Sequence, residues 1–232
     1  MTTRWIDMAA PGGGMFKGYV SLPPTGRGPG LLLIQEIFGV NEHIRAVADQ
    51  YALDGYTVLA PDVFWRLEPG VQLGYDQAGF EKGIQLMQAA DFKQAVGDLA
   101  VALKNLRSLG ECTGKAAVMG YCMGGLLSYL TAANTDVDAA VCYYGGGIQG
   151  QLAQAPQVKC PILFHYAAKD GFIPPEAVAA VQQAFEGKPN ARVHVYDGVD
   201  HGFNCWARGS YDQKASALAR GRTLEFLSRT IS

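Results

Sequence analysis

The sequence lacks several features that would assign it to particular classes of protein. No apolar run approaches the roughly 20 residues of a membrane-spanning helix, and Gly30–Ile34 is only as long as a strand. Charged residues make up 17% of the chain, and the net charge is −2 with both signs scattered. We therefore expect no nucleic-acid partner and no membrane partner. Residues 1–14 have no apolar run behind a basic start, so they do not predict a signal peptide.

Cysteine is sparse and widely spaced. The five cysteines form no C-x-x-C pair, and their odd number argues against a disulfide framework. This pattern is typical of a reducing compartment, so we predict a cytoplasmic protein without structural disulfides. The cysteines are Cys112, Cys122, Cys142, Cys160 and Cys205.

What the sequence does contain is a regular alternation of short apolar runs and helical patterns. It predicts an α/β fold, a mostly parallel twisted sheet with helices on both faces, in a single domain over residues 1–232. The predicted strands are Phe16–Leu22, Gly30–Gln35, Tyr56–Ala60, Ala116–Gly120, Ala139–Tyr144, Pro161–Tyr166 and Arg192–Tyr196. The predicted helices are Glu42–Leu53 with Asn41 as N-cap, Phe80–Leu109, Met123–Ala133, Glu176–Phe185 and Tyr211–Arg229.

The sharpest local motif is Gly-Tyr-Cys-Met-Gly-Gly over residues 120–125, between a predicted strand and an apolar helix. It is the G-x-S-x-G strand-to-helix turn with cysteine in place of serine. Glycines at these positions avoid clashes in a strained turn. The turn would place Cys122 at a helix N-terminus, where the helix dipole favours a thiolate. The alternative is a buried cysteine that acts only as a small apolar side chain.

A cysteine nucleophile needs donors for the developing oxyanion and two partner side chains. We expect the donors to be the backbone N–H groups of Met123 and Ile37. His201 and Asp170 each follow a predicted strand, where parallel sheets place catalytic groups. The chain order Cys122, Asp170, His201 is that of an α/β hydrolase. His201 would then move protons, Asp170 would orient the imidazole, and water would release the acid from a thioester.

The remaining histidines have simpler interpretations. His43 lies on a predicted helix face and is expected to be solvated, whereas His165 and His194 lie in predicted strands and are expected to be structural.

With these residues in place, nearly the whole chain resembles the dienelactone hydrolase family, the carboxymethylenebutenolidases. The resemblance rests on QEIFGVN at residues 35–41, APD at 60–62, GYCMGG at 120–125, YYG at 143–145 and DHGF at 200–203. It implies a monomeric α/β hydrolase with a Cys–His–Asp triad, no metal, no cofactor, and a small lactone or ester as its substrate.

The resemblance also gives Glu36 a role. In that family a glutamate at this place contacts the resting cysteine, and substrate binding shifts the glutamate so that the thiolate forms. A carboxylate beside a thiol disfavours the thiolate, so Glu36 is predicted to protect the resting thiol.

The predicted substrate-binding residues depart from the family pattern. Family members that take an anionic dienelactone hold its carboxylate with two arginines, one after the APD segment and one after the histidine. Neither arginine stands at its expected place here: the first segment offers only Lys82, which cannot form a bidentate fork, and the nearest arginine after His201 is Arg208. Aromatic residues would wall the pocket, among them Phe38, Tyr144 and Trp206.

Other functions stay open at this stage. The missing arginines favour an esterase or thioesterase of the same fold with a less anionic substrate. A non-catalytic α/β domain with a redox-sensing Cys122 is an alternative from another class. A zinc site is weakly indicated, because His201 and Cys205 are four residues apart but no further ligand cluster is evident. Nucleotide binding is weaker still, because the Gly12–Gly14 run does not follow a strand.

Overall fold

The computed structural model describes residues 2–232. Within them the chain forms one eight-stranded sheet in the order β1-β2-β4-β3-β5-β6-β7-β8. The strands are β1 (Thr2–Ala9), β2 (Met15–Leu22), β3 (Gly28–Ile34), β4 (Thr57–Pro61), β5 (Cys112–Tyr121), β6 (Ala139–Tyr143), β7 (Ile162–Ala167) and β8 (Ala191–Tyr196). The helices are α1 (Glu42–Leu53), α2 (Gln77–Ala89), α3 (Phe92–Ser108), α4 (Met123–Asn134), α5 (Pro175–Ala184) and α6 (Gln213–Thr230), with a 3₁₀ segment at Ile148–Gln157.

Strand direction confirms the mostly parallel sheet. The strands from β3 to β8 pair in parallel, and β2 pairs antiparallel with both β1 and β4. All carboxyl ends of the parallel strands therefore meet at one edge, where the loops after β3, β5, β7 and β8 come together.

The helices cover both faces of this sheet. Tyr143 of β6 hydrogen-bonds Thr223 of α6 at 2.7 Å. The adjacent Cys142 lies close to Tyr129 of α4. Neighbouring residues of a strand point to opposite faces, so α6 and α4 lie on opposite sides. The central strands are buried almost throughout, which explains their uninterrupted apolar runs.

Two parts of the secondary-structure prediction were wrong or incomplete. The single helix predicted over Phe80–Leu109 is two helices, because Ala90 is extended and the Asp91 side chain accepts from the N–H groups of Lys93 and Gln94 to cap α3. Strand β1 was not predicted. It lies at the edge of the sheet and is largely exposed, so its sequence shows no buried apolar run.

Other local predictions were confirmed. Helix α1 spans Glu42–Leu53, and its N-cap Asn41 accepts from the Ile44 N–H at 3.1 Å. Among the helices of residues 2–232, none is long and apolar enough to cross a membrane.

Candidate active site

Cys122 lies in a sharp turn between β5 and α4, with φ 57° and ψ −118°. A positive φ is unusual for a residue with a side chain, and it persists only where neighbouring structure enforces it. Here the Cys122 N–H donates to the Tyr143 carbonyl at 3.0 Å, and the Cys122 carbonyl accepts from Gly125 at 2.9 Å. The side chain is half-buried.

The three glycines of the motif are required by close backbone approaches. A Cβ at Gly120 would lie 2.2 Å from the Gly124 carbonyl oxygen. One at Gly124 would lie 2.5 Å from the Gln35 oxygen, and one at Gly125 would lie 2.5 Å from the Tyr143 oxygen. Real Cβ atoms do not come this close to backbone atoms, so the tight packing of α4 against the sheet depends on glycine.

The structure brings Asp170 and His201 together. His201 follows β8 and Asp170 follows β7, and His201 Nδ1 lies 2.8 Å from Asp170 Oδ2. The second carboxylate oxygen, Oδ1, accepts from the Phe172 and Ile173 N–H groups at 2.9 and 3.1 Å. Both side chains are buried, so the carboxylate is held in one orientation and fixes that of the imidazole.

The protonated imidazole of His201 is strongly stabilised. Burial alone would lower its pKa, but the neighbouring Cys122 side chain, in its thiolate form, and the Asp170 carboxylate together raise the pKa to about 10. Nε2 makes no well-aligned hydrogen bond within residues 2–232. The site therefore favours a protonated imidazole, with Nε2 free to give a proton to an incoming group.

Cys122 and His201 open into one cavity of about 360 Å³. Its walls are mostly apolar, and Arg208 adds a guanidinium. The residues that line the cavity beside Cys122 and His201 are Ile37, Phe80, Ile84, Met87, Phe92, Met123, Leu126, Gly146, Gly147, Phe172 and Arg208. A site of this kind suits a small organic substrate with an apolar body.

Two backbone N–H groups border the same cavity. Met123 is the first residue of α4, so its N–H has no acceptor within the helix. The Ile37 N–H, in the loop after β3, has no acceptor among residues 2–232. Both residues line the cavity beside Cys122.

Glu36 is fully buried directly before Ile37, but it contacts other groups than Cys122. Its Oε1 accepts from Arg208 at 3.2 Å and its Oε2 accepts from Tyr75 at 3.1 Å. Gly202, next to His201, makes room for this pair, because a Cβ there would lie 2.7 Å from the Arg208 guanidinium. Within residues 2–232 no hydrogen bond joins Glu36 to Cys122.

Four residues predicted to contact substrate lie outside the cavity lining, as taken over residues 2–232. Lys82 points to Glu68, at 2.6 Å. Trp206 packs against His43 with the rings tilted and their centroids 4.2 Å apart, and Phe38 packs against Tyr75. Tyr144 is buried behind His201, with ring centroids 5.0 Å apart, and so supports the imidazole.

The apolar face of α2 was missed by sequence reasoning. Phe80, Ile84 and Met87 recur at helical spacing and form one wall of the cavity. That spacing is also typical of ordinary core packing, and nothing in it identifies a substrate wall.

The prediction that His43 is solvated was wrong: it is buried under Trp206 and Tyr75, and burial lowers its pKa.

The sheet order, the flanking helices and the strained turn after β5 define an α/β hydrolase. The model of the dienelactone hydrolase family matches residues 16–231. The chain belongs to that family, and it is a carboxymethylenebutenolidase-like carboxylic ester hydrolase.

Known relatives match over the full length. Carboxymethylenebutenolidases from Pseudomonas putida and Pseudomonas knackmussii are each 36% identical over 229 residues, covering 98% of this chain and 97% of theirs. The crystal structure of a dienelactone hydrolase-like promiscuous phosphotriesterase from metagenomic libraries superposes with a TM-score of 0.86 and is 25% identical, covering 100% of this chain and 99% of the other.

Proposed function

We propose that this enzyme hydrolyses a small lactone or ester through a thioester on Cys122, with His201 and Asp170 as its partners. The observation that carries the proposal is that the Asp170-oriented imidazole and the half-buried sulfur share one cavity. The raised pKa of His201 supports a protonated imidazole as the acid that serves the leaving group.

The reaction follows from this arrangement. The Cys122 sulfur attacks the acyl carbon, and the N–H groups of Ile37 and Met123 donate hydrogen bonds to the oxygen on which negative charge develops. His201 Nε2 gives its proton to the leaving alkoxide, which in a lactone stays attached to the acyl group. Neutral His201 then takes a proton from water, the hydroxide attacks the thioester, and the carboxylic acid leaves Cys122.

Arg208 supports an anionic group on the substrate. Its guanidinium lines the cavity, and it shares the Glu36 carboxylate with Tyr75, so it retains donors for a second acceptor. Lys82 is paired with Glu68 and does not supply the second cation. We propose a substrate with one carboxylate and an apolar body.

The apolar walls favour a second candidate, an esterase for neutral esters or thioesters. The two are separated by measuring kcat/KM for a carboxylate-bearing lactone, a neutral lactone of the same size and a series of p-nitrophenyl esters. Faster turnover of the neutral compounds would support the second candidate.

A separate experiment tests the thioester. Rapid quenching, digestion and mass spectrometry should find the acyl group on the peptide that contains Cys122. Its absence there would contradict the thioester.

Glu36 gating stays part of the proposal. It requires a second side-chain position, closer to Cys122 than the one that pairs with Arg208. The monomeric state and cytoplasmic location remain predictions from the sequence, and light scattering of the purified protein tests the first.

A further inference from the structure

A second group of reactive side chains lies behind the cavity. It consists of Glu36, His43 and Cys205, which come from the loop after β3, the first turn of α1 and the loop after His201. One possible ligand atom from each of the three lies within 4.8 Å of the others, and all three residues are buried. The group contains neither Cys122 nor His201.

His43 is the unusual member. Its side chain is only 5% exposed, yet neither ring nitrogen has a hydrogen-bond partner within residues 2–232. An unpaired buried polar group costs on the order of 1–3 kcal/mol. A ring nitrogen of His43 is among the atoms that converge on Glu36 and Cys205. The unpaired ring nitrogen of His43 can therefore act as a ligand for a metal ion.

We propose that Glu36, His43 and Cys205 form a binding site for Zn²⁺. A carboxylate oxygen, an imidazole nitrogen and a thiolate are all ligands that zinc takes in proteins. Tetrahedral zinc with bonds of 2.0–2.3 Å separates its ligand atoms by roughly 3.3–3.8 Å. The three atoms therefore need to move together by about 1 Å or less, which side-chain rotation can supply.

Binding requires a change of protonation at Cys205. The thiol becomes a thiolate, so a zinc–sulfur bond forms and one proton per ion passes to solvent. The thiolate and the Glu36 carboxylate then carry two negative charges, which face the ion and the Arg208 guanidinium that already pairs with Glu36. Glu36 already accepts from Arg208 and Tyr75, but a carboxylate offers about four lone-pair positions, so a metal bond does not require both contacts to break.

A surface cavity of about 560 Å³ lies next to the group and is bordered by His43, Tyr75 and Trp206. Glu36 and Cys205 do not line it, and the rings of Trp206 and Tyr75 pack against His43. An ion that enters from this side therefore has to displace these rings, but it does not pass the apolar cavity at Cys122.

The test uses Co²⁺, a spectroscopic substitute for Zn²⁺, with the full-length protein. Because Cys122 and His201 can also bind a metal, the background is Cys122→Ala, which removes that thiolate. We expect one Co²⁺ per chain and a thiolate-to-cobalt charge-transfer absorption, and one Zn²⁺ that displaces it. Adding Cys205→Ser should abolish this absorption, and His43→Gln should weaken Co²⁺ binding by on the order of 100-fold. Cys160→Ser, which removes a half-buried thiol elsewhere, should leave binding unchanged.

Thermal unfolding gives a second measurement that does not depend on the cobalt absorption. Zn²⁺ should raise Tm of the Cys122→Ala protein and leave that of Cys122→Ala/His43→Gln unchanged. Circular dichroism before metal addition establishes that each variant is folded. If Cys205→Ser fails to fold, the His43→Gln comparison decides. Failure of the Cys122→Ala protein to bind Co²⁺, or persistence of the absorption without Cys205, would overturn the proposal. Hydrolysis through Cys122 would be unaffected by either result.

Discussion

The guanidinium of Arg208 lies 3.2 Å from the carboxylate of Glu36, although 172 positions separate them in the sequence. Glu36 precedes an N–H that borders the cavity, and Arg208 lines the cavity itself. The ion pair thus connects the loop after β3 with the loop that carries His201. Because Glu36 is fully buried, removing Arg208 would leave its charge without its cationic partner.

We predict that Arg208→Gln raises KM for a carboxylate-bearing lactone by about 10- to 100-fold, corresponding to the loss of a charge-assisted hydrogen bond. The loss of the cationic partner of Glu36 affects both substrates, so KM for a neutral lactone of equal size should rise by a smaller factor, because that lactone makes no such contact. Steady-state kinetics on the two substrates measures the difference. Lys82→Gln is the matched control, since Lys82 pairs with Glu68, and it should leave both KM values unchanged. Equal losses on both substrates would indicate general damage to the site.

The second prediction concerns the Asp170–His201 pair. Asp170→Asn should lower kcat by on the order of 10³- to 10⁴-fold, because an amide cannot stabilise the imidazolium and favours the wrong tautomer. Its carbonyl oxygen can still accept from Phe172 and Ile173, so Tm should fall only modestly. Asp197→Asn, which changes an exposed acid near the same loop, should keep kcat within about twofold. A fully active Asp170→Asn enzyme would remove Asp170 from the mechanism.

The local turn at Cys122 could be predicted from sequence because its physical requirement is local. Gly120, Gly124 and Gly125 stand where α4 starts close to the end of β5, and a Cβ at any of them would meet backbone atoms. The predicted order of acid and base likewise follows from strands that share one carboxyl edge. The Glu36–Arg208 pair and the zinc-ligand group could not be predicted this way. Their members become neighbours only after the loops fold over the sheet, and no periodicity marks such a contact.

His43 shows the same limit, because its burial could not be predicted from the residues near it in the sequence. A histidine in the first turn of a helix is usually solvated, and nothing nearby in the sequence says otherwise. Trp206, more than 160 residues further along the chain, covers it. The break between α2 and α3 had a local signal, since Asp91 is a good N-cap, but the apolar pattern continues across it and obscured the boundary.

The third prediction concerns the glycines of the turn. Gly120→Ala should destabilise the protein by about 3 kcal/mol or more, because its Cβ would meet the Gly124 backbone at 2.2 Å and neither segment can move freely. Gly97→Ala is the control, and it should change the free energy of unfolding in the opposite direction. Gly97 lies within α3, where a Cβ meets nothing closer than 4.0 Å, so alanine should stabilise by about 1 kcal/mol. Urea unfolding measures both. A neutral Gly120→Ala would mean that α4 can withdraw from the sheet.

The fourth prediction follows from Glu36. If its carboxylate protects the resting thiol, Glu36→Gln should speed alkylation of Cys122 by iodoacetamide near neutral pH, because a neutral amide disfavours the thiolate less. The rate is followed by mass spectrometry of the Cys122 peptide. Cys160, which is half-buried elsewhere, serves as an internal control within the same sample. An alkylation profile that is the same in both proteins across pH 5–9 would count against gating.

The raised pKa of His201 gives the last prediction, on pH dependence. The ring is protonated in the folded enzyme up to a pKa of about 10, above its ordinary value of 6.5. Its contribution to stability is therefore fully present below about pH 6.5 and is lost as the pH rises through 10. The same proton is the one given to the leaving alkoxide. We expect kcat/KM for an alkyl ester to fall on an alkaline limb near pH 10. A p-nitrophenyl ester should show a weaker limb, because its leaving group departs without protonation. An alkyl-ester limb near pH 6.5 instead would contradict the raised pKa of His201.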